Sequence, residues 1–202
     1  MQGTEEKMPL PAFRERRWVF APTDAAAARR LGTEAGVSQA LAQLLLNRGI
    51  ATAQEARAFL QPDLNHLHAP ELLPGLAEAA DRIRRAIRDK ERIVVYGDYD
   101  TDGICATALL LECISQAGGS AQYYLPDRQE EGYGLNADAL RRLAAEGTNL
   151  VVTVDCGVTA VREVALAREL GMDLIVTDHH QPGPELPEAL ALIDPHLPGS
   201  PY

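Results

Sequence analysis

Three short β-branched runs in this chain stop abruptly in acid or imidazole. They are Ile93–Tyr96, followed by Gly97-Asp98-Tyr99-Asp100-Thr101-Asp102-Gly103; Leu150–Val154, followed by Asp155-Cys156-Gly157; and Leu174–Thr177, followed by Asp178-His179-His180. A fourth strand-like run, Ala121–Leu125, lies between the first two. The stretches Ile104–Gln116, Asn136–Glu146 and Ala160–Leu170 between them carry helical spacing and end at Gly118-Gly119, Gly147 and Gly171. Near-continuous apolar strands alternating with amphipathic helices predict an α/β fold, an open parallel sheet with helices on both faces. Right-handed crossovers carry all the strand C-termini to one edge. Ligands of open α/β sheets bind at that edge, so acids far apart in sequence are expected to converge there.

The chain before residue 92 has a different texture. Residues 1–20 read as irregular, punctuated by Pro9, Pro11 and Pro22, with Trp18, Val19 and Phe20 expected to dock onto the body of the protein. Val37, Ala40, Leu41, Leu44 and Leu45 follow helical spacing, and Gly49 is placed to end that helix. Thr52 with Glu55 forms a capping box for a second helix, which Pro62 ends. His66 and His68 fall in a loop before Pro70 and read as solvated, since no third ligand is near. A helix over Ala77–Lys90 is expected to turn Ile83 and Ile87 inward and Arg82, Arg84, Arg85 and Arg88 outward. This divides the chain into an extension with a helical lead-in, residues 1–91, and an α/β domain, residues 92–202. Past Pro182 the chain is Pro-rich, and no further regular element is expected.

Charge is split along the same line. Residues 1–92 hold 14 Lys/Arg against 12 Asp/Glu, whereas residues 93–202 hold 5 against 17. Bulk electrostatics therefore gives the second part no affinity for a polyanion. Cations bound near the strand ends, and a basic surface elsewhere, would have to supply it. The three cysteines form no Cys-x-x-Cys pair, and Cys105 and Cys113 fall in an apolar helical pattern that predicts buried thiols. Free thiols fit a reducing cytoplasm. No stretch approaches the roughly 20 apolar residues of a membrane span, and Glu5, Glu6 and Lys7 are not followed by the apolar core of a secretory signal.

Crowded carboxylates repel and are costly to bury unless a cation neutralises them. On an extended segment Asp98, Asp100 and Asp102 share a face. Gly103 allows a tight turn into the next helix, whose N-terminus adds positive dipole character. Oxygen ligands suit Mg²⁺ or Mn²⁺, and His179 or His180 tilts the choice towards Mn²⁺. Two ions about 3.5–4 Å apart could activate water and clamp an in-line phosphoryl displacement, with Asp155 on the middle strand as candidate bridge. A calcium loop fits worse: Asp98-x-Asp100-x-Asp102-Gly103 begins like an EF-hand, but Leu109 stands where the closing Glu belongs and a strand precedes it. Asn136 reads as a helix N-cap. Arg128 lies in a charged, Gly-containing loop, Pro126 to Leu135, expected over the same sheet edge.

Together the three motifs resemble the DHH phosphoesterase superfamily, named for the triplet found here as Asp178-His179-His180. Within it, the first motif, the loop from Arg128 to Leu135, and the lead-in segments Leu44–Ile50 and Phe59–Pro62 are similar to bacterial single-strand-specific DNA exonucleases. The likeness covers roughly residues 16–202. It implies 5′-to-3′ degradation of single-stranded DNA to mononucleotides with two Mn²⁺ or Mg²⁺ ions, in recombination and repair, with single-strand-binding protein and a helicase as partners. It assigns Asp98, Asp100 and Asp102 to the first metal motif, Asp155 as bridging ligand, His179 as ligand, and Asp178 as the residue that orients the cluster. His180 and Arg128 would meet the substrate. Such exonucleases continue for several hundred residues, with another ligand aspartate and further DNA-gripping domains. This chain is therefore expected to be an N-terminal portion with weak or no activity alone. Two alternatives are a DHH phosphodiesterase acting on short oligonucleotides or cyclic dinucleotides, and a non-catalytic scaffold of the same descent. The lead-in helices count against the first, and the retained acids and histidines against the second.

Overall fold

The computed structural model describes residues 18–202; the expected irregular stretch before Trp18 lies outside them. The chain forms two compact units, divided between Leu67 and His68. Among the described residues the first holds three α-helices, α1 (Ala25–Ala35), α2 (Gln39–Leu46) and α3 (Ala53–Leu60). α1 starts where the Asp24 carboxylate accepts from the Ala26 and Ala27 N–H groups, and stops at left-handed Gly36. It is an element that the apolar spacing did not announce, because Ala25–Ala28 carries no large side chain. Ala28 and Leu31 nonetheless close a small core with Ala42, Leu45 and Ala56. α2 begins at Ser38 and α3 at the Thr52/Glu55 capping box. Trp18, Val19 and Phe20 are largely exposed rather than docked, since α1–α3 complete their core without them. His66 ends a short 3-10 turn and is exposed.

The second unit is a five-stranded sheet, every pairing parallel, in the order β2-β1-β3-β4-β5. The strands are β1 (Ile93–Tyr96), β2 (Ala121–Tyr124), β3 (Leu150–Thr153), β4 (Asp173–Thr177) and β5 (Ala191–Ile193). Four helices cover it: α4 (Leu76–Asp89), α5 (Thr101–Gln116), α6 (Ala137–Ala145) and α7 (Val161–Glu169). β1 and β3 are buried throughout. Their side chains alternate between two cores. Val94, Tyr96 and Val151 pack with Leu140 and Leu143 of α6 and Val164 of α7. Ile93, Val95 and Val152 pack with Ala79 and Ala86 of α4 and Ile114 of α5. This is the parallel sheet covered on both faces that the apolar runs predict.

Four details depart from the sequence expectations. α4 packs on the sheet, so it lies with the α/β unit although the change of texture comes only at residue 92. Arg82 of α4 points inward rather than outward. It is buried, its Nε donating to Asp173 at 2.6 Å and its Nη2 to Glu91 at 2.6 Å, and this pairing offsets the desolvation of the guanidinium. Cys105 and Cys113 are exposed; α5 turns Gly103, Thr107 and Ile114 inward instead. Apolar residues run round more than one face of α5, with Ile104 and Leu109 also exposed, so periodicity could not pick the buried face. Finally, the chain past Pro182 does form a further element, the edge strand β5, from the apolar run Ala189 to Ile193.

Candidate metal centre

The strand order reverses beside β1, which has β2 on one side and β3 on the other. Parallel sheets open a crevice at such a switch point, at the C-terminal strand ends. The pairing register sets Tyr96 beside Thr153, Leu150 beside Asp173 and Thr177 beside Ile193. Continued just past the strands, the same register puts Asp98, Asp155, Asp178 and Asp194 in one row across β1, β3, β4 and β5. Each of these four acids is thus the first or second residue to leave its strand at the same edge.

Local backbone then aims them. Asp155 has φ of +62°, a left-handed conformation that Asp tolerates better than most residues but that still stores strain. Two hydroxyls brace this turn: Thr153 donates to the Cys156 carbonyl at 2.7 Å, and Thr177 donates to the Thr153 carbonyl at 2.6 Å. Asp100 caps α5, accepting from the N–H groups of Asp102 at 2.9 Å and Gly103 at 3.0 Å. The Gly103 N–H does most to hold its carboxyl below the ordinary range. Gly103 cannot be replaced without movement, because a Cβ there would lie 2.5 Å from the Asp98 carbonyl oxygen. Asp98 is buried, and its Oδ1 has no hydrogen-bond partner.

Asp178 organises the third motif. Its buried carboxylate accepts from Val158 N at 2.9 Å, His179 N at 2.8 Å, His180 N at 3.2 Å and His180 Nδ1 at 2.7 Å. Burial alone would raise its pKa, but these donors, the Val158 N–H foremost, leave it below the ordinary value. An ionised carboxylate only accepts, so His180 Nδ1 carries a proton and its Nε2 is left to face outward. The Asp178 bond also raises the His180 pKa. His179 Nε2 lies 2.8 Å from Asp155 Oδ1. Burial raises the Asp155 pKa, and the His179 bond opposes that shift.

Two donor groups result, each with its ligand atoms within 4.8 Å of one another: Asp98, Asp100 and Asp155; and Asp155, His179 and His180. Asp155 belongs to both. Among the described residues no Lys or Arg pairs with Asp98, Asp100 or Asp155. Three close carboxylates, one with a buried unpartnered oxygen, fit a divalent cation, and mixed oxygen and imidazole donors suit Mn²⁺ or Mg²⁺. The Asp102 carboxylate falls outside both groups; it is exposed on the first turn of α5, with α5 helical rather than extended at this point. Arg128 is exposed, its guanidinium 5.3 Å from the centre of the Tyr99 ring.

Two residues escaped the sequence reading. The Tyr133 hydroxyl lies 3.2 Å from both the Asp155 carbonyl oxygen and His180 Nδ1. Its signal was an aromatic residue flanked by Gly132 and Gly134, both left-handed, in a loop after a strand. Asp194 is fully buried with Oδ2 unpartnered, and burial raises its pKa. It was missed because β5 was missed. Asn136 caps α6 as expected, accepting from Ala139 N at 2.7 Å.

The loop that carries Arg128 and Tyr133 is tied down by Glu131. Its carboxylate accepts from the Tyr124 hydroxyl at 2.5 Å, Arg142 Nη2 at 2.7 Å and Asp127 N at 2.9 Å. The Tyr124 bond leads in lowering its pKa from 4.5 to about 2. A carboxylate depressed on folding stabilises the fold above its unfolded pKa and loses that contribution as pH falls towards the folded value. Glu131→Gln is therefore expected to cost about 1 kcal/mol at neutral pH. The gap to the parent should narrow between pH 4.5 and 3 in urea unfolding, and a gap unchanged over that range would refute this role.

Residues 92–201 match the DHH family, N-terminal domain. The chain is 41% identical over 186 residues to the single-stranded-DNA-specific exonuclease RecJ of Bacillus subtilis, covering 92% of this chain and 24% of that protein. Among solved structures it is similar to exonuclease RecJ bound to manganese, with 39% identity and a TM-score of 0.60 over 64% of this chain and 33% of that one. RecJ of Thermus thermophilus in complex with Mn²⁺ matches with 30% identity and a TM-score of 0.68 over 91% of this chain and 25% of that one. The Thermus protein has also been solved with Mg²⁺, matching with 26% identity and a TM-score of 0.51 over 85% of this chain and 22% of that one. The chain spans about a quarter of the length of the curated relatives it matches.

Proposed function

Because this chain belongs to the DHH family, we propose that it supplies the metal-binding part of a single-strand-specific DNA exonuclease, acting 5′ to 3′ and releasing mononucleotides. The carrying observation is the row of strand-end aspartates joined to two imidazoles, with no Lys or Arg among the described residues paired to Asp98, Asp100 or Asp155. Asp98, Asp100, Asp155 and His179 would hold Mn²⁺ or Mg²⁺, two ions sharing Asp155, with Asp102 at the rim. Bound there, the ions would polarise the phosphodiester and lower the pKa of the attacking water. The rest falls to the chain's own side chains. Asp178 fixes the His180 tautomer, so that Nε2 meets a phosphoryl oxygen in one orientation. Tyr133 donates to the Asp155 carbonyl and holds the loop against that imidazole. Arg128, stacked on Tyr99, offers positive charge to the DNA backbone beside an acidic cluster.

The likeness to proteins named single-stranded-DNA-specific exonucleases supports the substrate; the polarity, a role in recombination and repair in the cytoplasm, and single-strand-binding protein and a helicase as partners are proposed with it. We further propose that the surfaces gripping a long strand lie outside this chain. The coverage of about a quarter of each relative and the acid excess of residues 93–202 both support this. The strand-end acids and both imidazoles that this chain does carry argue against a metal-free scaffold.

A chimera tests this reading. Grafted in place of the matching segment of Bacillus subtilis RecJ, the chain is expected to restore Mn²⁺-dependent digestion of a 5′-ended single strand and to spare a duplex. The isolated chain should bind Mn²⁺ by calorimetry yet digest the strand slowly or not at all. A folded chimera that binds single strands without cutting them, or that turns over dinucleotides in preference to long strands, would overturn the proposal.

A further inference from the structure

The two sides of the acid cluster are unlike. Arg128, Tyr99 and Tyr133 carry the polar and aromatic side. None of them borders a separate cavity of about 430 Å³ that opens against Asp155 and His179. Its walls come from Cys105 and Ala106 of α5, Val154 beyond β3, Thr177 of β4, and Ile193 and Pro195 around β5. The volume falls within the roughly 300–1,000 Å³ of small-molecule sites. The surface is mainly apolar, and its one wall hydroxyl, that of Thr177, is already donated to the Thr153 carbonyl. Among the described residues no Lys or Arg lines it, while Asp102, Asp155 and Asp178 do.

That composition selects the occupant. A phosphodiester held at the cluster must place an ester substituent against one of the neighbouring surfaces. Away from the ligand residues Asp155 and His179, a second phosphate would meet only apolar wall and the carboxylates of Asp102 and Asp178, which repel it. An uncharged ring system would bury apolar area there at little polar cost. We propose that this cavity is the nucleoside subsite, holding the deoxyribose and base of the nucleotide whose phosphate reaches the strand-end acids. This rests on the exonuclease reading above and adds where the nucleoside goes. It also implies little discrimination between bases, because the wall away from the acid edge is Cys105, Ala106, Val154, Ile193 and Pro195, which offer no strong donor or acceptor to read a base edge.

Cys105 provides the test. Its exposed thiol lines the cavity, whereas exposed Cys113, further along α5, does not. The protein is treated with a maleimide in the presence of Mn²⁺, and modification of each cysteine is followed by peptide mass spectrometry. Any of the four deoxynucleoside 5′-monophosphates, at about ten times its dissociation constant, should slow Cys105 modification about tenfold. Cys113 should be unaffected, and inorganic phosphate should protect neither. The exposed-site variant Cys105→Trp should weaken mononucleotide binding about tenfold and leave Mn²⁺ affinity within about twofold. Mononucleotide binding by calorimetry without protection of Cys105, or equal protection by phosphate, would place the nucleoside elsewhere and leave the metal-centre reading standing. Absence of any Mn²⁺ binding would remove that reading and the subsite with it.

Discussion

Asp155→Ala should abolish Mn²⁺ binding at the strand edge and, in the RecJ chimera, lower exonuclease turnover by at least about a thousandfold, equivalent to about 4 kcal/mol of barrier. The size follows from its place in both donor groups: one truncation leaves Asp98 and Asp100 without their third partner and His179 without the oxygen 2.8 Å from its Nε2. Alanine also occupies the left-handed conformation less readily, at a cost of about 1 kcal/mol. Stability and chemistry would then change together. Asp155→Asn separates them, since Asn tolerates that backbone and keeps the shape while removing the charge. The Asn variant should unfold at nearly the parent temperature and still bind no Mn²⁺ measurable by calorimetry. Parent-like Mn²⁺ affinity in a folded Asp155→Asn chain would show that the carboxylate is not the shared ligand.

The position of Asp155 was legible in the sequence because strand ends in a parallel sheet share an edge whatever the details of packing. The run Leu150–Val154 could be read as a buried strand from its apolar residues alone, and what followed it had to be at the edge. The same logic failed for β5. Its three residues, bracketed by Pro187 and Pro195, are too short for periodicity to speak, and only the pairing with β4 makes them a strand. Asp194 was invisible for that reason. Helix faces were read less well than strand ends. α5 carries apolar side chains on more than one face, so the pattern could not tell that Cys105 lines a cavity at the site. In α4 the charge of Arg82 suggested solvent, yet Asp173, distant in sequence, supplies a partner that only the fold reveals. Asp102 was grouped with Asp98 and Asp100 by assuming an extended segment. Asp100 instead caps α5, and Asp102 sits on the first turn of that helix, outside the group that Asp98 and Asp100 form with Asp155.

Asp178→Ala is expected to be the most damaging change that touches no ligand atom of either donor group. The Asp178 carboxylate is almost wholly buried and accepts four hydrogen bonds, three from backbone N–H groups and one from His180 Nδ1. Leaving a buried donor unsatisfied costs about 1–3 kcal/mol. Relaxation and water entry would recover part of the sum, so a net loss of about 3 kcal/mol is expected. At about 2–4 °C per kcal/mol for a chain of this size, the melting temperature should fall by roughly 10 °C. Asp178→Asn keeps one acceptor oxygen for the His179 and His180 donors but turns an amide NH₂ towards the Val158 N–H. It should recover part of the stability and not all of it. The functional loss comes by another route. Without Asp178 only the Tyr133 hydroxyl, 3.2 Å away and able to donate or accept, remains beside His180 Nδ1, so the ring can rotate and exchange tautomers. Nitrogen-15 NMR of the imidazoles reads this directly: the parent should show one His180 tautomer, protonated at Nδ1, and Asp178→Ala a mixture. A variant that melts with the parent and keeps the single Nδ1–H tautomer would mean that the carboxylate neither braces the turn nor orients the ring. The four bonds drawn to it would then have no energetic meaning.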